Sequence, residues 1–208
     1  LMAQIENSNI KFNDVKSVGI GVPGPVLNNR IVKFWANFPW ENGVDLALEF
    51  EKNLGIPVKA DNDVNVITLG EMWQGAGQGY KNVLGLAIGT GIGGGIIVDG
   101  KLVSGLNGAG GEVGHIKIEH DGKLCGCGQK GCWEAYASAT GIIREAQSRL
   151  LVNKRNLLYE MTKGRDLEAK DVFDAAKQGD KFALDIVDYE AEKLALGIGN
   201  LLNILDPE

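Results

Sequence analysis

Gly89-Thr90-Gly91-Ile92-Gly93-Gly94-Gly95 places five glycines in seven residues, and what flanks them decides the fold. Before them, Val83–Ile88 is a short apolar run of the buried-strand type. After them, Gly95–Val98 reads as a second strand, and Asp99-Gly100 turns it into Leu102-Val103 as a hairpin. Positions 89, 91 and 94 match the glycine spacing of a dinucleotide-binding fingerprint. That fingerprint requires a helix directly after the glycines, because the helix N-terminus holds the pyrophosphate. A strand follows here, so the dinucleotide reading fails its own context. A glycine-rich strand–turn–strand can still cradle phosphate through successive backbone N–H groups, with Thr90 adding a hydroxyl donor. Five glycines exceed what a tight hairpin needs, which favours phosphate contact over a bare turn.

Outward from this stretch, the chain has the composition of a globular protein. It has 208 residues, 44% of them hydrophobic, and a net charge of -6. That length allows one or two domains. No basic run stands out, so neither nucleic acid nor an anionic membrane surface is expected as a partner. No apolar run approaches the roughly 20 residues needed to cross a bilayer. Thirty glycines are about twice ordinary usage, and eleven of the 26 residues from Gly89 to Gly114 are glycine.

Upstream, Lys16 to Val22 reads as a strand broken by Pro23-Gly24-Pro25, and Asn28-Asn29 turns a hairpin into Ile31–Trp35. Val44 to Leu54 reads as a short helix capped by Gly55. Ile56–Ala60 is a strand, and Asp61-Asn62-Asp63 opens a helix to about Gln74. A carboxylate at such a strand-to-helix junction lies where open α/β sheets bind ligands, although alone Asp63 is no more than a cap. Gly75, Gly77 and Gly79 mark a joint, giving expected domains of 1–75 and 76–208. His115–Ile118 reads as a strand. Asp180 to Leu202 carries an amphipathic stripe at Ala183, Ile186, Val187, Ala191, Leu194, Ile198 and Leu201, the pattern of a core helix. Both ends look cut, at Leu1 and at Leu205-Asp206-Pro207-Glu208.

Cys125, Cys127 and Cys132 are odd in number and too close together for a secreted disulfide framework. With one imidazole they satisfy a tetrahedral structural zinc, and Gly126, Gly128 and Gly131 let the loop wrap an ion. His115 and His120 both qualify as the fourth ligand, with His115 on its strand preferred. Glu112 and Glu134 flank this cluster, and carboxylates accept hydrogen bonds from sugar hydroxyls well. Taken singly, each is an ordinary surface charge.

These pieces, in this order, resemble the ROK family (repressors, open reading frames and kinases), over nearly the whole chain. Leu86 to His115, with Gly-Thr-Gly-Ile-Gly-Gly-Gly leading to Gly-Glu-Val-Gly-His, resembles the family signature, and the loop ending Cys132-Trp133-Glu134 resembles its zinc motif. Within the family the likeness is nearest to the bacterial glucokinases, supported by Asn37-Phe38-Pro39-Trp40-Glu41-Asn42 and Ala137-Ser138-Ala139-Thr140. The resemblance implies an α/β, actin-like ATPase (ribonuclease H-like) two-domain sugar kinase fold with its active site in the cleft, incomplete here at both ends. It implies ATP-dependent phosphorylation of a hexose, glucose first, with Asp63 as the base. Asn37, Asn62, Asp63, Glu112, His115 and Glu134 match sugar-binding positions, and Gly89, Thr90, Gly91 and Gly93 match the phosphate loop. His115, Cys125, Cys127 and Cys132 match zinc ligands. ATP, Mg2+ and a structural Zn2+ are the implied cofactors, in a cytoplasmic homodimer or homotetramer serving glycolysis. The family's Asp-x-Gly-Gly-Thr loop and its adenosine loop have no match, so these 208 residues alone are expected to turn over poorly.

A sugar-sensing repressor of the same family is the alternative, and the pairing of Asp63 with the Gly-Thr-Gly loop favours the kinase. N-acetylmannosamine, N-acetylglucosamine and fructose kinases share these motifs, and polyphosphate is a second donor to be weighed against ATP.

Overall fold

The protein is described by a computed structural model covering residues 5, 7, 8, 11–35 and 39–208. Asn37, expected to touch sugar, lies outside the described residues. The chain groups into two compact units, 1–85 with 95–111 and 86–94 with 112–208.

In the first unit, β1 (Val18–Val22) pairs in parallel with β5 (Val58–Asn62), setting Ile20 beside Ala60 and Val22 beside Asn62. Three short antiparallel strands, β2 (Val26–Leu27), β3 (Ile31–Val32) and β4 (Val44–Asp45), make a second sheet. Their hairpin turns at Asn28 and Asn29, both with positive φ (54° and 55°), a conformation asparagine tolerates better than most residues. The helix expected from Val44 begins two residues later, as α1 (Leu46–Leu54), because Val44 and Asp45 pair with β3 and Asp45 caps the helix. Gly55 ends it at φ 69°. Val22, Val26, Val32, Trp35 and Ala60 form the buried core, with Ile20 and Leu46 against it.

β5 runs directly into α2 (Asp63–Gln74). The Asn62 side chain accepts from the N–H groups of Val64 and Asn65, satisfying two of the donors that a helix start leaves open. Next come β6 (Val83–Ile88), β7 (Ile92–Val98) and β8 (Lys101–Leu102), in one sheet of order β6-β7-β8. The division between units falls within β6 and β7. Part of the glycine density is packing rather than ligand contact. A Cβ on Gly85 or on Gly95 would run into the Thr68 hydroxyl of α2, so these two glycines let that helix approach the strands closely.

The second unit is helical beyond residue 133: α3 (Glu134–Ala137), α4 (Ala139–Val152), α5 (Leu157–Thr162), α6 (Ala169–Lys177) and α7 (Lys181–Leu205). Ile142, Ala146, Leu158, Val172, Ala175, Ala183 and Ile186 form its core. The expected stripe on α7 is buried at Ala183, Ile186 and Leu201, but Ala191 is exposed. Gly197, absent from that stripe, is buried, and the Trp133 ring lies so close that a Cβ there would strike it. The expected strand at His115–Ile118 does not form. Val113–His115 is a 3-10 turn, and the Ile116 N–H closes back on Val113 O at 3.1 Å. What remains of a strand is one isolated bridge between Lys117 and Cys132. Among the described residues, no helix is long and apolar enough to cross a membrane.

Candidate functional site

Asp63 is the first residue of α2, half-buried, with Oδ1 accepting from the Val64 N–H at 3.0 Å. The junction beneath it is held by a carboxylate, Asp61, that the sequence marks only as part of the helix opening. Asp61 is buried and accepts from Asn29 Nδ2 (2.7 Å), Asn65 Nδ2 (2.9 Å) and the Asn62 N–H (2.7 Å). Asn62 Nδ2 reaches Gly24 O at 3.4 Å. The hairpin, β5 and the start of α2 therefore share one hydrogen-bond network. Buried carboxyl oxygens are tolerated when hydrogen-bond donors fill their lone pairs in this way.

In the second unit the glycine turn closes on itself, with the Gly89 N–H donating to Gly91 O at 2.9 Å. Thr90 is exposed at its tip. The start of α4 docks on this turn through Ala139 N–H to Gly89 O (2.8 Å) and Thr140 Oγ1 to Thr90 O (2.7 Å). No short-range pattern announces that contact, because it joins residues 50 positions apart. Glu134 reaches the same turn, its Oε2 accepting from the Ile92 N–H at 3.2 Å. A Cβ on Gly91 would strike that oxygen, which gives Gly91 a steric reason to be glycine. Gly93 lies within β7.

The same carboxylate meets the cysteine cluster. Glu134 Oε1 accepts from the Cys125 thiol at 3.3 Å and lies 3.8 Å from His115 Nδ1. The other imidazole nitrogen, Nε2, faces Glu112 at 4.0 Å. His115 can thus present one nitrogen to a metal and the other toward Glu112. Its position at the end of the 3-10 turn, rather than on a strand, aims the ring at the sulfurs.

The ligand atoms of His115, Cys125, Cys127 and Cys132 lie within 4.8 Å of one another. Cys125 Sγ is 3.6 Å from His115 Nδ1, and Cys127 Sγ is 3.7 Å from Cys132 Sγ. A tetrahedral ion with metal–sulfur bonds of about 2.3 Å sets its sulfurs about 3.8 Å apart; the Cys127–Cys132 pair has that spacing, and all four donors lie close enough to converge on one ion. His120, the other imidazole considered, is 97% exposed and sits beside Asp121. The loop is built by backbone bonds: Cys125 N–H to Gln129 O (2.8 Å), Gly128 N–H to Cys125 O (3.0 Å) and Ile118 N–H to Gly131 O (3.0 Å). Burial pushes the Cys125 thiol up to about 12 and raises Cys132 as well. At Cys127 burial acts the same way, but the Gln129 N–H and the other two thiols outweigh it and the net shift is downward.

Behind the loop, burial pushes the Glu190 carboxyl up to about 7, opposed by Lys123 and reinforced by Glu145. Its Oε2 is buried and finds no hydrogen-bond partner among the described residues. A carboxyl raised this way binds its proton more tightly folded than unfolded, so its contribution to stability falls as pH climbs from about 4.5 to 7 and the deficit persists above. Glu190→Gln is expected to raise stability at pH 8 by on the order of 1 kcal/mol after solvent screening, a Tm gain of about 2–4 °C. The gain should vanish near pH 4.5. Thermal melts at both pH values check this, and equal melting of the two proteins at pH 8 would contradict it.

Residues 1–208 all match the family model for the ROK family. The chain is 42% identical to a glucokinase of Thermotoga maritima over 193 residues, 92% of this chain and 61% of the relative. Among solved structures it is similar to a ROK family glucokinase of Streptomyces griseus in complex with glucose and AMPPNP (TM-score 0.83, 37% identity, 99% of this chain and 67% of that one). It is equally similar in fold to a ROK family transcriptional regulator, a homolog of the E. coli MLC protein (TM-score 0.84, 31% identity, 100% of this chain and 51% of that one). The chain spans about three fifths of the length of the curated relatives it matches. Its α/β architecture is the actin-like fold of these sugar kinases. A match along its entire length, joined to this likeness in sequence and fold, places the chain in the ROK family.

Proposed function

We propose that the whole protein is a hexose kinase that moves the γ-phosphoryl group of ATP onto a sugar hydroxyl, with glucose as the first substrate to test. The observation that carries this reading is the position of Glu134. Its carboxylate bonds the glycine turn and borders His115, so a phosphate-type loop and hydroxyl-accepting groups are held together in one unit. Similarity to glucokinases supports it.

Phosphoryl transfer asks mainly for positioning and charge stabilisation. In this reading Asp63 accepts the proton of the attacking hydroxyl. Asn37, Asn62, Glu112, His115 and Glu134 hold the sugar, and an analogue lacking a hydroxyl leaves one of these groups unpaired. Gly89, Thr90, Gly91 and Gly93 line the phosphates of magnesium-bound ATP. Zinc at His115, Cys125, Cys127 and Cys132 supplies a structural cross-link, because four protein ligands leave no open position. The domains in this reading are 1–75 and 76–208, divided at the glycine joint of Gly75, Gly77 and Gly79, although 76–85 and 95–111 group with the first compact unit. The setting is cytoplasmic, with a homodimer or homotetramer as the assembled form.

The test is ADP release by the whole protein with magnesium-ATP and glucose, N-acetylmannosamine, N-acetylglucosamine or fructose, repeated with polyphosphate as donor. Glucose-dependent ADP release is expected. A sugar-sensing regulator is the second reading, favoured by the fold likeness to a ROK regulator. Sugar binding without turnover of any of the four would decide for it.

A further inference from the structure

A charged aromatic cluster that the function above does not use lies between the cysteine loop and the helices behind it. Lys123, two residues before Cys125, is its centre. The Lys123 N–H donates to the Tyr136 hydroxyl at 2.5 Å, and its carbonyl accepts from the Gly131 N–H at 2.9 Å, which closes the neck of the loop. Its Nζ pairs with Glu145 at 2.6 Å and lies over two rings, Tyr136 at 4.9 Å and Tyr189 at 5.2 Å. Lys193 of α7 lies over the same two rings, 5.4 Å from each, and pairs with Glu119 at 2.8 Å. Arg149 completes the group, 5.3 Å from the Tyr189 ring and bound to Glu145 at 2.8 Å.

An exposed ion pair contributes little, but each pair here has one well-covered partner, while Glu119 and Lys123 keep part of their surface in solvent. The Lys193 side chain is 15% accessible and that of Glu145 16%. Bringing two lysines onto one pair of rings sets like charges near each other, and each needs its own carboxylate to make that tolerable. The arrangement fixes both strands of the loop: Glu119 and Lys123 on the entering side, Tyr136 on the leaving side. Trp133, fully buried, adds a bond from Nε1 to Lys193 O at 2.9 Å. Tyr136 also belongs to the same buried cluster as Cys125 and Cys132.

We propose that Lys123 and Lys193, stacked on Tyr136 and Tyr189, are positioning residues that hold the cysteine loop at ligand spacing before the metal arrives. This rests on the reading of His115, Cys125, Cys127 and Cys132 as a zinc site. A loop ordered in advance spares the ion the ordering cost, so the cluster acts on metal affinity as outer-shell partners do.

The experiment strips the protein with a chelator and measures zinc affinity by competition with a chromophoric chelator, with cobalt spectra as a second readout. Lys123→Met and Lys193→Met are expected to weaken zinc about 10–100-fold and to alter the thiolate–cobalt bands. Lys123→Arg, which keeps the charge and stacks on rings, should restore most of the loss. Lys154→Met, removing a similar contact to Tyr159 at 5.7 Å, should leave affinity unchanged. Wild-type affinity in both Met variants, whatever their melting temperature, would overturn the proposal while the zinc site stands. Failure of the wild-type protein to take up zinc would sink the site and the proposal together. If Lys123→Met does not fold, Lys193→Met and Lys123→Arg carry the decision.

Discussion

Asp63→Asn in the whole protein is expected to lower kcat for sugar phosphorylation by about 10²–10⁴-fold, the range for loss of a positioned general base. The amide keeps an oxygen for the Val64 N–H that Oδ1 now accepts, so the start of α2 should hold and Tm should shift by little. Sugar affinity, read by calorimetry, should change far less than kcat, because the proton leaves the hydroxyl only as the new bond forms. A variant that keeps more than about a tenth of the wild-type rate would remove Asp63 from the role of base. A variant that loses sugar binding along with turnover would make it a binding residue instead.

Cys132→Ser is expected to abolish zinc binding and to lower Tm by about 6–12 °C, corresponding to roughly 3 kcal/mol in a chain of this size. Cys132 has no exposed surface, and its sulfur sits 3.7 Å from that of Cys127. The substitution removes a ligand and leaves a hydroxyl among apolar neighbours, so two costs act in the same direction. Metal analysis of the purified protein checks the first, and thermal melts with and without chelator check the second. Chelator should lower the wild-type Tm toward that of the variant. A wild-type melt insensitive to chelator, in protein free of zinc, would show that the four residues do not form a metal site. Because Glu134 borders both Cys125 and the glycine turn, metal loss should also disturb the turn, visible as weaker nucleotide binding by the treated protein.

Much of this architecture is short-range, and short-range patterns are what a sequence displays. Asn62 is a good cap beside a strand, Gly55 needs a positive φ, Asp99-Gly100 fits a hairpin, and β6 ends where the glycines begin. The same holds for the core face of α7 at Ala183 and Ile186, where a stripe three apart meets the first turns of a well-packed helix. The strand expected at His115–Ile118 shows the limit. Alternating Ile116 and Ile118 satisfied the pattern, but the local bond from Ile116 N–H to Val113 O closed a turn instead.

The residues alone determined the family likeness, the fold class, and which side chains have the chemistry for a base, a phosphate loop and a metal. Their order and spacing along the chain carry that information. Tertiary structure decided which of them meet. It selected His115 over His120 for the sulfurs, tied Glu134 to a glycine turn 42 residues away, and set two lysines 70 positions apart on one pair of tyrosines. Contacts of that separation depend on packing and burial rather than on local propensity, so no window of sequence contains them.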